Sequence, residues 1–278
     1  LLGLDPLIAL NAAEREGDRL VGPFAAIWFA LFMIPFFLFV PDVRTTRTHD
    51  KGRSALAELW STVKSLPEQP NMLMFLLARM IYVDGLSAIF TFGGIYGTAV
   101  FGWTAFELGL FGIILSLTGA IGAVIGGFLD DARGAKWVIV GSLVILMAAA
   151  VGILSVTTTH YLFTFPYTPR AAGALPFTST GELVYLGFAM AIGMVAAPTQ
   201  AASRSLLARL APVEKITQYF GLFAFSGKVT AFAAPLLVAT VTTATGSQRL
   251  GVAVIVVFIS IGLLLMLPVK EPRRSGQA

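Results

Sequence analysis

The chain has 278 residues, of which 56% are hydrophobic and only 12% charged, and its mean hydropathy is +0.83. Soluble domains carry roughly a quarter of charged residues, so this composition excludes an aqueous globular fold and predicts a membrane protein. The net charge is +4, and the absence of cysteine excludes disulfides and thiol chemistry.

Seven apolar segments are long enough to cross a bilayer, which takes about 20 residues in a helix. Each must be helical, because unpaired backbone amides are costly in hydrocarbon and the sequence lacks the period-two alternation of a membrane β-barrel. The predicted spans cover residues 21–40, 71–100, 108–129, 137–157, 183–203, 216–247 and 250–268. The sequence therefore predicts an all-α membrane protein that forms a multi-span helical bundle.

A long charged segment separates the first predicted span from the other six. We interpret residues 1–40 as the end of an N-terminal half and 41–70 as a cytoplasmic central linker with an amphipathic helix. Residues 71–268 are predicted to form a six-helix half, followed by a cytoplasmic tail at 269–278. The start shows neither an initiating methionine nor a signal-peptide pattern. This order predicts the C-terminal six-helix half of a six-plus-six transporter, plus the preceding helix.

Lysine and arginine are distributed unequally between the two sets of connecting segments. The segments 41–70, 130–136, 204–215 and 269–278 hold 13 of them, whereas the opposite set holds 4. By the positive-inside rule, the richer set and the C-terminus face the cytoplasm. The basic character thus reflects membrane topology, and we expect no nucleic acid partner. A bacterial inner (plasma) membrane is the expected location.

The turn between the third and fourth predicted spans combines paired acids, two bases and a glycine. Its pattern is Gly127-x-Leu129-x-Asp131-x-x-Gly134-x-Lys136, with Arg133 inside it. Gly134 permits the tight reversal, and Asp131 is expected to accept backbone amides at a neighbouring helix N-terminus. Arg133 and Lys136 are expected to hold the loop at the anionic leaflet. A generic positive-inside turn would explain the bases but not the acids.

This pattern resembles the signature loop that the major facilitator superfamily places between the second and third helices of each six-helix half. Alanine stands at positions 132 and 135, where the family pattern usually has arginine. If the span at 21–40 is the sixth helix, the turn lies between the eighth and ninth, as the resemblance requires.

Further motifs are similar to one branch of that superfamily, the autophagy-related vacuolar amino-acid effluxer-like transporters, and indicate a bacterial-type member. These motifs are Tyr82-Val83-Asp84-Gly85, Ser203-Arg204-Ser205-Leu206, Tyr219-Phe220-Gly221-Leu222 and Ser226-Gly227-Lys228. The resemblance implies a twelve-helix secondary transporter that works by alternating access. For fungal members it implies amino-acid export, and for bacterial-type sequences it leaves the substrate open.

Two charged residues lie deep inside predicted spans. Asp84 and Lys228 each lie roughly 18 Å into their spans at 1.5 Å per residue, and this equal depth allows them to pair. An intramembrane charge is a functional candidate, for binding substrate or a coupling ion. A static structural salt bridge is the alternative. Arg79 is five residues from Asp84, so it is expected to point elsewhere and to extend toward the cytoplasm.

Other polar side chains accompany these charges. Ser87 and Thr91 continue the polar stripe of Asp84 along one helix face, and Gln200 is expected near the mouth of a cavity beside Pro198. Gly122 and Gly126 form a GxxxG spacing that predicts close helix packing.

Together these features predict a secondary active transporter of a small solute, with the bilayer, a proton and an N-terminal half as partners. The sequence shows no metal-ligand cluster, cofactor motif or catalytic set, so we expect no cofactor and no enzyme activity. A seven-span receptor or photoreceptor is the alternative. It would not explain the long linker after the first span or the acidic turn, and it would require the lysine in the last span, whereas Lys228 lies in the sixth.

Overall fold

A computed structural model describes residues 16–40, 55–171 and 173–272 of the chain. Seven helical segments of this part are long and apolar enough to cross a membrane. The predicted all-α, multi-span fold is therefore confirmed. Residues 1–15, the linker residues 41–54 and the tail residues 273–278 lie outside the described part.

The helices in chain order are α1 (Glu16–Phe39), α2 (Ala55–Ser65), α3 (Pro70–Phe101), α4 (Ala105–Arg133), α5 (Ala135–Leu154), α6 (Thr180–Leu210), α7 (Ile216–Val229), α8 (Ala233–Thr245) and α9 (Gln248–Met266). Short 3-10 turns cover Leu66–Glu68 and Val213–Lys215. Two short strands, β1 (His160–Tyr161) and β2 (Phe165–Pro166), form an antiparallel hairpin in which His160 pairs with Pro166.

The chain divides into two compact units, residues 1–53 and 54–278. The first contains α1, a helix of 24 residues with Pro23 and Pro35 inside it. The second contains α2 to α9 and all the features described below.

Two ends of the second unit can be distinguished by their residues. The basic end is where α4, α6 and α9 finish and where α3, α5 and α7 begin. The hairpin end, at the opposite termini of these helices, carries β1 and β2. In the packing between them, α6 lies against α4 and α5, while α9 lies against α3, α8 and α5. Large side chains such as Tyr82, Leu143, Tyr185 and Ile259 are fully buried in the core.

Glycines allow α4 and α6 to pack in direct contact. A Cβ atom added to Gly122 would lie 1.8 Å from the carbonyl oxygen of Met194, and one added to Gly126 would lie 2.5 Å from Cβ of Pro198. Either distance is too short for a side chain, so the two helices could not approach this closely without glycine. The predicted close packing of the GxxxG segment is confirmed.

Reciprocal capping boxes start α4 and α6. Thr104 and Glu107 form one, and Ser179 and Glu182 form the other, each with the hydroxyl accepting from the glutamate N–H. This satisfies two amides that have no partner within the helix. Both helices begin three residues before the spans that hydropathy predicted at 108 and 183, because polar caps extend a helix beyond its apolar part.

The sixth predicted span, 216–247, is broken. α7 ends at Val229 and α8 begins at Ala233, with a turn between them. Pro235 explains the position of the break, because a proline ring clashes with the carbonyl four residues earlier, at Ala231, and supplies no N–H. The break lies near the middle of the segment, next to α3.

Candidate functional site

One face of the bundle carries most of the predicted polar residues. Ser87 and Thr91 of α3 are exposed, and the Thr91 hydroxyl donates to the Ser87 carbonyl at 3.0 Å. Gln200 of α6 is exposed too, and with Ser116 of α4 it lines a trough of about 570 Å³ between α3, α4 and α6. Sequence reasoning missed Ser116, whose signal is a polar residue amid the apolar third span.

Asp84 lies beneath this face. The residue is only 2% exposed, and its Oδ1 atom has no hydrogen-bond partner. The hydroxyl of Thr230, in the break between α7 and α8, lies near the carboxyl group but forms no regular hydrogen bond with it. Within the described part of the chain, no ion pair involves Asp84. The carboxyl group is therefore buried inside the membrane-spanning bundle without a counter-ion.

Asp84 and Lys228, which their equal depth would allow to pair, do not pair in this conformation. Lys228 is exposed and forms no salt bridge with Asp84. The two residues are at similar depth, but two residues along a helix correspond to about 200° of rotation. Because Thr230 faces Asp84, Lys228 points away from it.

Arg79 reaches α7 instead of extending to the cytoplasm, so that expectation was wrong as well. Its Nη1 donates to the carbonyl oxygen of Phe223 at 2.8 Å, and the guanidinium lies 3.4 Å from the centre of the Phe223 ring. A Cβ atom on Gly227 would lie 2.7 Å from Nη1. The positive charge therefore stabilises the C-terminal half of α7, where the helix dipole is negative.

The other end of α7 is held by α2 and the turn that follows α2. The Thr62 hydroxyl donates to Oε1 of Gln218 at 3.0 Å, and the Tyr219 hydroxyl donates to Oε1 of Gln69 at 2.8 Å. The predicted amphipathic linker helix is thus packed against the broken helix rather than separate from the bundle.

A charge cluster forms at the basic end. Arg209, near the end of α6, pairs with Asp130 at 2.7 Å and with Glu271, which follows α9. Glu271 also accepts the backbone N–H groups of Ala135 at 3.1 Å and Lys136 at 2.9 Å. Its carboxylate therefore caps the N-terminus of α5 and complements the helix dipole there.

The predicted turn motif occupies this end, but its roles are distributed differently. Gly134 has φ of +93°, and a Cβ atom there would lie 2.7 Å from the Glu271 carboxylate, so glycine is required for both reasons.

The charged residues of the motif differ from the prediction. The carboxylate that accepts the N-terminal amides of α5 belongs to Glu271, whereas Asp131 was expected to take such a role. Asp131, Arg133 and Gly127 are exposed. Lys136 donates from Nζ to the Leu267 carbonyl at 2.7 Å.

A second cluster forms at the hairpin end. Arg170, in the loop after the hairpin, pairs with Glu107 and lies 3.3 Å from Glu182, so it joins the two capping-box glutamates. The Glu107 carboxylate against the guanidinium raises the pKa of Arg170 above its usual value. Trp103 donates from its indole N–H to Glu182 at 2.9 Å.

The seven membrane-spanning segments define a multi-pass membrane protein of the all-α class. Residues 8–278 match the family described as "Vacuole effluxer Atg22 like", and the chain belongs to that family.

Two relatives illustrate the relationship. "Autophagy-related protein 22" of Cryptococcus neoformans var. neoformans serotype D (strain B-3501A) is 26% identical over 98% of this chain and 50% of that protein. The "Uncharacterized MFS-type transporter YxiO" of Bacillus subtilis (strain 168) is 25% identical over 88% of this chain and 52% of that protein. The chain spans about half the length of the curated relatives it matches.

A solved structure supports the fold. The inward-open xylose transporter XylE from E. coli superimposes with a TM-score of 0.56 at 15% identity, covering 72% of this chain and 48% of that one. The superfamily and branch inferred from the motifs are confirmed, and the seven-span receptor interpretation is not favoured, because the matched family and this fold neighbour are transporters.

Proposed function

We propose that this chain forms one half of a secondary active transporter that moves a small solute by alternating access. The solute path would run between the six helices α3–α9, with α7 and α8 as one broken helix, and an N-terminal half. The exposed polar residues on α3, α4 and α6 support this arrangement, because polar side chains in membrane helices face a partner or an aqueous cavity.

The observation that carries the proposal is Asp84, buried without a counter-ion beside a broken helix. An ionised carboxylate is very unfavourable in such a place unless it is paired. We infer that Asp84 carries a proton in this conformation and releases it when the break opens to water. Binding sites of secondary transporters are often built at discontinuous helices, which supports a coupling role for this carboxyl group.

Four exposed residues have a different role in this proposal. Ser87, Thr91 and Gln200 provide hydroxyl and amide groups along the path. Lys228, exposed at the end of α7, provides the positive charge for an anionic group of the solute and influences the proton affinity of the cavity. Amino acids are the first solutes to test, because the family resemblance implies their export by fungal members.

We further propose that the basic end faces the cytoplasm of a bacterium, with the protein in the plasma membrane. The excess of lysine and arginine on that end supports this orientation. Protease accessibility of the tail after Glu271 in right-side-out and inside-out vesicles tests it. Cleavage in right-side-out vesicles would contradict it.

Transport by the reconstituted full-length protein under an imposed pH gradient tests the coupling role. Asp84→Asn should abolish accumulation of solute against its gradient yet preserve exchange, since a neutral amide cannot release a proton. Lys228→Met should change the pH dependence and the apparent solute affinity. The matched control is Glu214→Gln, which neutralises an exposed carboxylate in the turn before α7 and should transport like the wild type. If Asp84→Asn accumulates solute like the wild type with the same pH dependence, the carboxyl group has only a structural role.

A further inference from the structure

A groove of about 310 Å³ opens between α4 and α5. Both helices pack extensively on α6 but touch each other much less, so α6 forms the floor of the groove and the other two form its walls. On α4 the groove residue Ile125 is nine positions from Ser116, which corresponds to roughly 180° of rotation. The groove and the trough that contains Ser116 and Gln200 therefore open on the two flanks of the contact between α4 and α6, the groove toward α5 and the trough toward α3.

The lining of the groove is mostly apolar and includes three glycines. Gly122 and Gly126 form part of one wall, and Gly141, Ser142 and Ile145 form part of the other. No atom lies within 4 Å of a Cβ atom added to Gly141, so the space in front of it is open. Water would find too few hydrogen-bond partners there, and an empty groove would lose dispersion contacts along its whole lining. A hydrocarbon chain needs no hydrogen-bond partners and makes dispersion contacts with the lining, so it is the occupant that this groove suits.

The dimensions of the groove fit one leaflet of a bilayer. From Gly122 to Arg133 the helix rises roughly 16 Å, and half of a hydrocarbon core about 30 Å thick is about 15 Å. An acyl chain that starts at the basic end would therefore reach the bilayer midplane near Gly122.

The mouth of the groove, at the basic end, carries one basic and one aromatic side chain. Arg133 and Trp137 line it, and Trp137 is 69% exposed, as is typical of tryptophan at a membrane interface. Arg133 is exposed and has no ion pair within the described ranges of the chain. Basic pockets between membrane helices are suited to anionic headgroups.

We propose that this groove binds an anionic phospholipid, with its phosphate against Arg133 and one acyl chain between α4 and α5. The bound chain supplies the packing that α4 and α5 do not give each other and supports the junction at Gly134. The proposal does not depend on the solute or on the coupling ion.

Native mass spectrometry of the purified, delipidated full-length protein tests the site. Phosphatidylglycerol and phosphatidylcholine with the same acyl chains are added in equal amounts. The wild type should retain phosphatidylglycerol about fivefold more than phosphatidylcholine, which corresponds to ~1 kcal/mol for one arginine near an anionic lipid. Arg133→Gln should remove this preference while phosphatidylcholine still binds. Gly141→Leu should reduce retention of both lipids, because the new side chain fills the groove.

Two matched controls separate these effects from general changes. Lys215→Gln removes another exposed basic residue of the basic end, and Gly187→Leu adds the same side chain at an exposed α6 glycine with open space around it. Both should bind lipid like the wild type. Equal retention of the two lipids by the wild type, or unchanged retention in Gly141→Leu, would overturn the proposal. So would displacement of the lipid by millimolar glycerol phosphate, because the phosphate alone would then account for binding.

Discussion

The two ends of the six-helix unit are each held by one arginine between two carboxylates, but in different environments. At the hairpin end, Arg170 joins Glu107 and Glu182, whose side chains are 6% and 1% exposed. At the basic end, Arg209 joins Asp130 and Glu271, whose side chains are 16% and 15% exposed. Charges that are less accessible to water are harder to separate.

The chain segments joined by the two clusters differ as well. Each glutamate at the hairpin end caps its own helix, together with a hydroxyl residue three positions earlier. At the basic end, Glu271 caps α5 from a position 136 residues away from Ala135. The basic cluster therefore depends on the packing of α4, α5, α6 and the segment after α9. We expect the hairpin end to remain closed in this half and the basic cluster to be the one that rearranges during transport.

Replacement of Arg170 by methionine should have the largest effect on stability. It would leave Glu107 and Glu182 close together without a counter-ion, and we expect a loss of about 3 kcal/mol, at the low end for a broken buried pair. Thermal unfolding in detergent measures the loss. Arg249→Met is the control, because this arginine of the same end lies over the Phe163 ring and forms no carboxylate pair in the described part of the chain. Equal destabilisation by the two variants would contradict the comparison.

Replacement of Glu271 by glutamine should destabilise less, by about 1–2 kcal/mol, because an amide oxygen still accepts one backbone N–H of α5 but no longer neutralises Arg209. It should also open the basic end more often. The chain has no cysteine, so a single Ser87→Cys variant can report on access. Its labelling rate from the basic side should rise when Glu271→Gln is added. A rate that stays the same would show that the cluster does not control access.

Replacement of Asp130 by asparagine should have the smallest effect of the three, about 0.5–1 kcal/mol, because Arg209 keeps Glu271 as a partner. A double-mutant cycle with Arg209→Met measures the contribution of this pair alone. If Asp130→Asn lowers the free energy of unfolding as much as Glu271→Gln does, the cap that Glu271 places on α5 contributes no extra stability.

The sequence alone places the residues of the candidate site along their helices, but it does not show which of them contact one another. The depth of Asp84 and Lys228 follows from counting residues along an apolar span. Their directions do not, because they depend on how α7 is rotated against α3, and that rotation places Thr230, in the break between α7 and α8, beside Asp84. Arg79 is a related case. Its rotation away from Asp84 follows from the helix repeat, but the sequence does not show that α7 lies in that direction and that Arg79 contacts Phe223 there.

The turn motif shows the same limit. The spacing of Gly134 and its acidic and basic neighbours predicts a tight reversal, which depends on local backbone conformation. The carboxylate that caps the next helix comes from Glu271 after α9, and no local pattern indicates it. The capping boxes of α4 and α6 are the opposite case, because their residues are three positions apart and can be identified by their spacing in the sequence.

The sequence by itself determined the membrane class, the seven spans, the family and the chain positions of the charged residues. Each of these depends on composition or on interactions between residues close in the chain, since hydrocarbon permits only helices that satisfy their own backbone. The tertiary structure alone decided that Asp84 is unpaired, that Arg79 supports α7 and that Glu271 caps α5. These are contacts between distant segments, and their partners are selected by how the helices pack and rotate against one another.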